Sequence, residues 1–328
     1  MNRTHAPAGR DQFGGILTVT PNPALDITYQ VRLVPGEVHR VEPPRRRAGG
    51  KGFNVARVVA ANQHRAVAVA PVGQAQIAAF AEELRKAGVG AELVAVAADT
   101  RNSIALVDAD ADQVTVLNEP GSAPTTAEAE ELDLRVRDCI ARYAPAVVVI
   151  AGSLPPGTDS SLFAQFTRYA HDAGAPCIID TSGSALLDAV RAGADLIKPN
   201  AEEAMQATDA TDHLTAATAL LQLSPNPRAR ALISRGPDGI SLFTKGSEVV
   251  TTARPGERLS GNPTGAGDAA VAAAAVGLAD GLDDHALVRL AVQWSSAAVL
   301  APLAGDLGPL AEPESITVST ETLPHKII

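Results

Sequence analysis

Eight consecutive residues, Gly261-Asn262-Pro263-Thr264-Gly265-Ala266-Gly267-Asp268, combine an anion-binding turn with a carboxylate. Pro263 stops whatever precedes it, Thr264 is a candidate N-cap, and the Ala/Val run from Ala269 propagates a helix. Gly265 and Gly267 carry no Cβ, so the backbone can turn sharply and approach a ligand closely. A helix start of this kind offers unpaired N–H groups and the positive end of a dipole, which together hold an anion. Placing Asp268 in that anion site makes poor sense for binding alone. It makes sense where the carboxylate takes a proton while the turn holds developing negative charge. Two simpler accounts compete. The helix dipole favours any first-turn Asp. Gly265-x-Gly267-x-x-Ala270 also fits a dinucleotide fingerprint, but that loop should follow the first strand of a βαβ unit, and here two helical patterns follow it near the C-terminus.

Lys198-Pro199-Asn200-Ala201-Glu202-Glu203 is the second informative stretch. Asn200 and Glu203 have capping-box spacing on one helical face. The same amide oxygen and carboxylate could hold hydrated magnesium, which takes few protein ligands. Arg45 to Lys51 is the densest basic run in an acidic chain. Lysine is scarce, five residues against twenty-two arginines, and Lys51 stands between Gly50 and Gly52 with Asn54 opening the next helix. Arg101-Asn102 adds a further cation and an amide. Asp26, after Asn22-Pro23, suits sugar hydroxyls or merely a turn. No G-x-x-x-x-G-K-[ST] and no G-x-S-x-G occurs, which removes the P-loop and nucleophile-elbow chemistries.

These groups need a scaffold that brings loops together. Short apolar runs at 16–20, 67–72, 146–150, 177–180, 196–197 and 231–234 alternate with helical patterns. They predict an α/β fold with a mostly parallel sheet covered on both faces and ligands beyond the carboxyl ends of the strands. Residues 27–48, with a Pro35-Gly36 turn, and residues 99–117 alternate polar and apolar and predict a small antiparallel flap over the crevice. Residues 1–13 read as a disordered tail.

Composition narrows the function. The chain has 328 residues, 46% hydrophobic and 20% charged, with a net charge of −10. That charge argues against a nucleic-acid or membrane-surface binder. Cys139 lies in a helical pattern and Cys177 in a strand-like run, so both are expected as buried free thiols. The polar start holds no signal peptide and no apolar run reaches membrane-spanning length, so a cytoplasmic protein is expected.

Seven motifs in order carry a resemblance: Asn22-Pro23-Ala24-Leu25-Asp26, Gly49-Gly50-Lys51-Gly52-Phe53-Asn54, Thr100-Arg101-Asn102, Asn118-Glu119-Pro120-Gly121, Gly152-Ser153-Leu154-Pro155-Pro156-Gly157, Lys198-Pro199-Asn200-x-x-Glu203 and Asn262-Pro263-Thr264-Gly265-Ala266-Gly267-Asp268. Together they resemble the ribokinase-like (PfkB) carbohydrate kinases, nearest the branch of 1-phosphofructokinase and tagatose-6-phosphate kinase. The resemblance implies a three-layer sandwich with a β lid, a kinase domain over residues 14–310 (lid from about 24–48 and 99–120) and a C-terminal extension at 311–328. It implies ATP and Mg2+, with Asp268 as general base and the N–H groups of Gly265, Ala266 and Gly267 as the anion hole. Asn200 and Glu203 would position magnesium. Lys198, Ser234, Gly236, Gly239 and Thr264 would line the ATP site. Asp26, Gly50, Lys51, Asn54, Arg101 and Asn102 would hold the sugar, with Lys51 and Arg101 on its existing phosphate. Fructose 1-phosphate is the first choice of substrate, with tagatose 6-phosphate and fructose 6-phosphate as alternatives. A non-catalytic regulator of the same fold and a nucleoside kinase are the rival readings. The lid also offers a face for a homodimer.

Overall fold

The computed structural model describes residues 14–34, 36–108 and 113–323. The predicted tail, Pro35 of the predicted turn, and residues 324–328 of the C-terminal extension lie outside the described residues. The chain begins with β1 (Ile16–Val19), β2 (Ala24–Gln30), β3 (Arg45–Gly49), α1 (Lys51–Ala61), β4 (Ala66–Gly73), α2 (Ile77–Lys86), β5 (Val89–Val96), β6 (Arg101–Asp108) and β7 (Gln113–Asn118). It continues with α3 (Thr126–Tyr143), β8 (Val147–Ala151), α4 (Ser161–Asp172), β9 (Cys177–Asp180), α5 (Gly183–Arg191), β10 (Leu196–Ile197), α6 (Ala201–Thr208), α7 (His213–Leu223) and β11 (Arg230–Ser234). It closes with β12 (Ile240–Thr244), β13 (Val249–Pro255), α8 (Ala266–Ala279), α9 (Asp284–Val299) and β14 (Ile316–Thr322).

Ten strands form one sheet in the order β14-β13-β12-β11-β10-β9-β8-β1-β4-β5. From β11 to β5 every pairing is parallel, while β12, β13 and β14 add antiparallel strands at one edge. The apolar runs are buried on both faces. In β8, Val147, Val149 and Ala151 belong to one core cluster, and Val148 and Ile150 to the other. That split is the two-residue period of a strand with helices above and below. Residues 316–322, in the segment set apart as an extension, pair along β13 as the sheet's edge strand.

α8 is buried all round, from Asp268 to Gly277. Its Ala-rich sequence lets α1, α9 and the sheet approach it closely, so the glycine turn at its start is held by a buried helix. Between β10 and β11 the chain forms two helices. Asp209 takes a left-handed conformation (φ 54°) that ends α6, and the Asp212 side chain caps α7. Cys139 and Cys177 are buried free thiols.

The small sheet runs β3-β2-β6-β7. Its outer pairings are antiparallel, but β2 and β6 run parallel. Both strands leave the large sheet in the same sense, from the parallel strands β1 and β5. The chain runs from β1 to β4 and β5 on one side, then returns to β8 and β9 on the other. The crevice between lid and large sheet therefore opens beyond the carboxyl ends of β1 and β8, where the winding reverses.

Candidate active site

α1 begins at Lys51, ahead of the Asn54 expected to open it, because Gly50 adopts φ 112° and acts as its N-cap. That conformation strains any residue with a Cβ. Lys51 thus projects from a first helical turn instead of a loop. Its ammonium lies 3.1 Å from Asp180 Oδ1, at the buried end of β9, and Lys198 Nζ lies 3.6 Å from the same oxygen. Burial raises the Asp180 pKa, but Lys198 and Lys51 outweigh it and hold the carboxyl below its usual range. Burial works against the Lys51 charge, yet Asp180, Asp268 and Glu203 together leave the ammonium more firmly protonated than in water.

Asp268 stands in the first turn of α8, 7% exposed, and its Oδ2 accepts a hydrogen bond from Asn54 Nδ2 at 2.8 Å. Burial above all, then the Asp180 charge, raises its pKa to about 7, against the pull of Lys51, Asn54 and Lys198. A carboxylate tuned to neutrality is suited to accept a proton at working pH. Asn54, expected on the sugar, lines the same crevice and also holds Asp268.

The turn differs in two respects from the expectation. The N-cap of α8 is Gly265 (φ 88°), not Thr264, whose N–H is held by the Asn262 side chain at 3.0 Å. Of the three N–H groups expected to form an anion hole, that of Ala266 donates to Pro263 O at 3.1 Å. A Cβ on Gly267 would lie 3.2 Å from Lys198 Nζ, so this ammonium faces the turn directly. Lys198, Gly267, Gly265 and Thr264 line one crevice with Asp180 and Asp268.

A second group of charges lies under the lid. Asp26 on β2 sits opposite Arg47 on β3. Burial lifts the Asp26 pKa to about 6, against Arg57, Arg47 and Arg101. A Cβ on Gly49 would fall 2.1 Å from the Asp26 carboxyl carbon, so the glycine leaves room for that side chain. Arg101 is half-buried and donates to the carbonyls of Asn22 (3.2 Å) and Glu119 (3.0 Å). Asn102, expected on the sugar, is not among the residues lining the crevice; it alternates along β6 with Arg101 and Ser103, which are, and its Nδ2 donates to Glu119 Oε1 at 3.0 Å.

Asn200 and Glu203 form a complete capping box: Glu203 N donates to Asn200 Oδ1 and Asn200 N to Glu203 Oε2, both at 2.8 Å. Both side chains also line the crevice. Their oxygens are hard donors partly committed to the backbone. They fit a cation that keeps most of its waters better than one bound directly. Among the described residues no cluster of three His, Cys, Asp or Glu could hold a metal.

Ser234 lines this crevice and an adjoining cleft, which Gly236 and Gly239 line with Pro263, Val292 and Val299. The two spaces share Gly267, so the second leads an elongated ligand to the anion turn. Sequence reasoning missed Asp180, Arg47 and Arg57 as site residues. An Asp ending a wholly apolar strand before Thr181-Ser182-Gly183 was the available signal for the first; Arg47 lies in the basic run beside the glycines, and nothing local marks Arg57.

A sequence model of the pfkB family carbohydrate kinase matches residues 20–309. The chain is 35% identical to a 1-phosphofructokinase of Xanthomonas campestris pv. campestris, over 85% of this chain and 89% of that one. It is 33% identical to ATP-dependent 6-phosphofructokinase isozyme 2 of Mycobacterium tuberculosis, over 88% of this chain and 84% of that one. Phosphofructokinase-2 from Escherichia coli in complex with fructose-6-phosphate superposes with a TM-score of 0.78 at 28% identity, covering 87% of this chain and 94% of that one. The chain belongs to the pfkB family of carbohydrate kinases.

Proposed function

We propose that this kinase transfers the γ-phosphoryl group of ATP to a ketohexose monophosphate, fructose 1-phosphate first, giving a bisphosphate. The single observation that carries the reading is Asp268, buried at the anion turn of α8 with Lys198 Nζ facing the same turn. Asp268 takes the proton of the acceptor hydroxyl as the oxygen attacks. The N–H groups of Gly265 and Gly267 and the Lys198 ammonium meet the charge on the transferring phosphoryl. Such chemistry is mostly positioning and charge stabilisation. When bound near Asn200 and Glu203, a hydrated magnesium ion supplies further charge neutralisation for the phosphates.

The acceptor sits under the lid, with hydroxyls on Asp26. Its existing phosphate needs local cations in a protein of net charge −10, and Arg101 and Lys51 line that space. The names of the relatives support a phosphorylated hexose but divide between 1-phospho- and 6-phosphofructokinases. An enzyme using ATP and a phosphorylated sugar acts where both are held, which supports a cytoplasmic setting. The exposed outer side of the lid, including Leu117 at 52% exposure, supports a homodimer through that sheet.

The test is ADP release from ATP with fructose 1-phosphate, fructose 6-phosphate, tagatose 6-phosphate, fructose and adenosine. We expect turnover with a hexose monophosphate at least tenfold above either unphosphorylated acceptor, the effect of one charge-assisted contact. Turnover confined to fructose or adenosine overturns the reading. Sedimentation velocity tests the dimer.

A further inference from the structure

Asn54 and Arg57 lie three residues apart on α1, 5% and 3% exposed. Asn54 Nδ2 donates to Asp268 Oδ2 at 2.8 Å, and its Oδ1 accepts from Arg57 Nη1 at 3.3 Å. Arg57 Nη2 reaches Ala48 O and, at 2.7 Å, Glu83 Oε1 on α2. A primary amide beside a carboxylate has two orientations. With NH2 toward the carboxylate it donates; with oxygen toward it, two acceptors oppose each other. Arg57 has donors only, so it selects the orientation in which Asn54 turns its NH2 to Asp268.

We propose that Arg57 is a positioning residue that acts through Asn54 to orient the general base Asp268. The inference rests on Asp268 being the base. A guanidinium taken out of water needs compensation, and Glu83 and the Ala48 carbonyl supply it. The ionisable groups around Asp268 are Lys51 on α1, Asp180 on β9 and Lys198 after β10; those around Arg57 are Arg47 on β3, Glu83 on α2 and Asp26 on β2. All of them stay in place in the variants below, so a change in the titration of activity reports the Arg57–Asn54 contact.

The experiment compares the pH profile of kcat in the parent enzyme, Arg57→Met, Arg57→Lys, Asn54→Leu and the Arg57→Met/Asn54→Leu double variant, with Asp268→Asn in parallel. Losing one hydrogen bond to the ionised base should lower kcat on the order of tenfold and move the acid limb upward by roughly half a pH unit or more. KM for ATP and for the sugar phosphate should stay within about twofold. The double variant should be no worse than Asn54→Leu alone, because Arg57 acts through Asn54. Arg57→Lys keeps a charge for Glu83 but cannot reach both partners with one ammonium. It should show the same limb shift with little loss of Tm, and it answers the question if Arg57→Met fails to fold. A purely structural Arg57 lowers Tm and leaves the acid limb at its parental position; that outcome, or additive losses in the double variant, overturns the proposal. If Asp268→Asn keeps parental turnover, the base itself is misassigned and the inference falls with it. If Asp268→Asn is inactive while both Arg57 variants keep the parental profile, only this inference falls.

Discussion

Asn54 Nδ2 and Asp268 Oδ2 are 2.8 Å apart, and this contact ties the first turn of α1 to the first turn of α8. The helices start more than two hundred residues apart in the chain, and the hydrogen bond sets the Asp268 carboxylate at the glycine turn that opens α8.

Replacing Asp268 by Asn keeps the shape and the Asn54 contact but removes the proton acceptor. kcat should fall by roughly 10²–10⁴, the contribution of a positioned base. ATP binding by calorimetry should change little. Turnover within a few-fold of the parent would remove Asp268 from that role.

The pH dependence follows from the same residue. The active form of Asp268 is ionised, and its pKa is raised to about 7, so kcat should drop as pH falls through about 7 and level off above it. The stability effect has the opposite sense. A carboxyl whose folded pKa lies above its unfolded value binds a proton more tightly when folded, so its ionisation costs stability as pH rises from about 4 to 7. Asp268→Asn should therefore raise Tm at pH 8 and change it less at pH 5. Scanning calorimetry at the two values decides; equal shifts would argue against the raised pKa.

Arg101 separates phosphate recognition from scaffolding. A charge-assisted contact to phosphate contributes about 1.5–3 kcal/mol, or roughly ten- to over a hundredfold in kcat/KM. Arg101→Ala should cost that much with the sugar phosphate and little with the free sugar. Because the guanidinium also holds the Asn22 and Glu119 carbonyls, equal losses on both acceptors would mark it as a lid brace. Lys51→Ala should cost more with the sugar phosphate than with the free sugar, while some loss on both is expected because its ammonium is also paired with Asp180.

Glu203→Gln leaves an oxygen to accept the Asn200 N–H, so the capping box survives the change. We expect a several-fold higher magnesium concentration at half-maximal rate, with the KM of the sugar unchanged. Unaltered magnesium dependence would leave Glu203 as a helix cap alone.

Gly49→Ala would place a methyl on the Asp26 carboxylate, 2.1 Å from its Cγ. Displacing Asp26 should raise the KM of the sugar phosphate about tenfold or more while the KM of ATP holds, as loss of a hydrogen bond to a charged group predicts. Parental KM values for both would exclude Asp26 from the sugar site.

Local chemistry made much of this protein readable. Asn200 and Glu203 announce a capping box by spacing, and the two-sided apolar strands such as Val147–Ala151 announce a parallel sheet, because three or four neighbouring residues suffice to set those features. The turn before α8 was recognisable for the same reason. Its detail was not: which glycine caps α8 depends on φ at Gly265, and the Ala266 N–H donates to Pro263 O. Partnerships across the chain were beyond local reading. Asp180 looked like the polar end of a strand until Lys51 and Lys198 arrived from other elements. Nothing local showed that the Asn54 amide would meet Asp268, or that the Asn102 amide would pair with Glu119. Residue type and spacing set which groups can do chemistry; burial and the long-range pairing of α1 with α8 decide which of them meet and with what pKa, since desolvation and Coulomb energies depend on distance in space and not on separation in sequence.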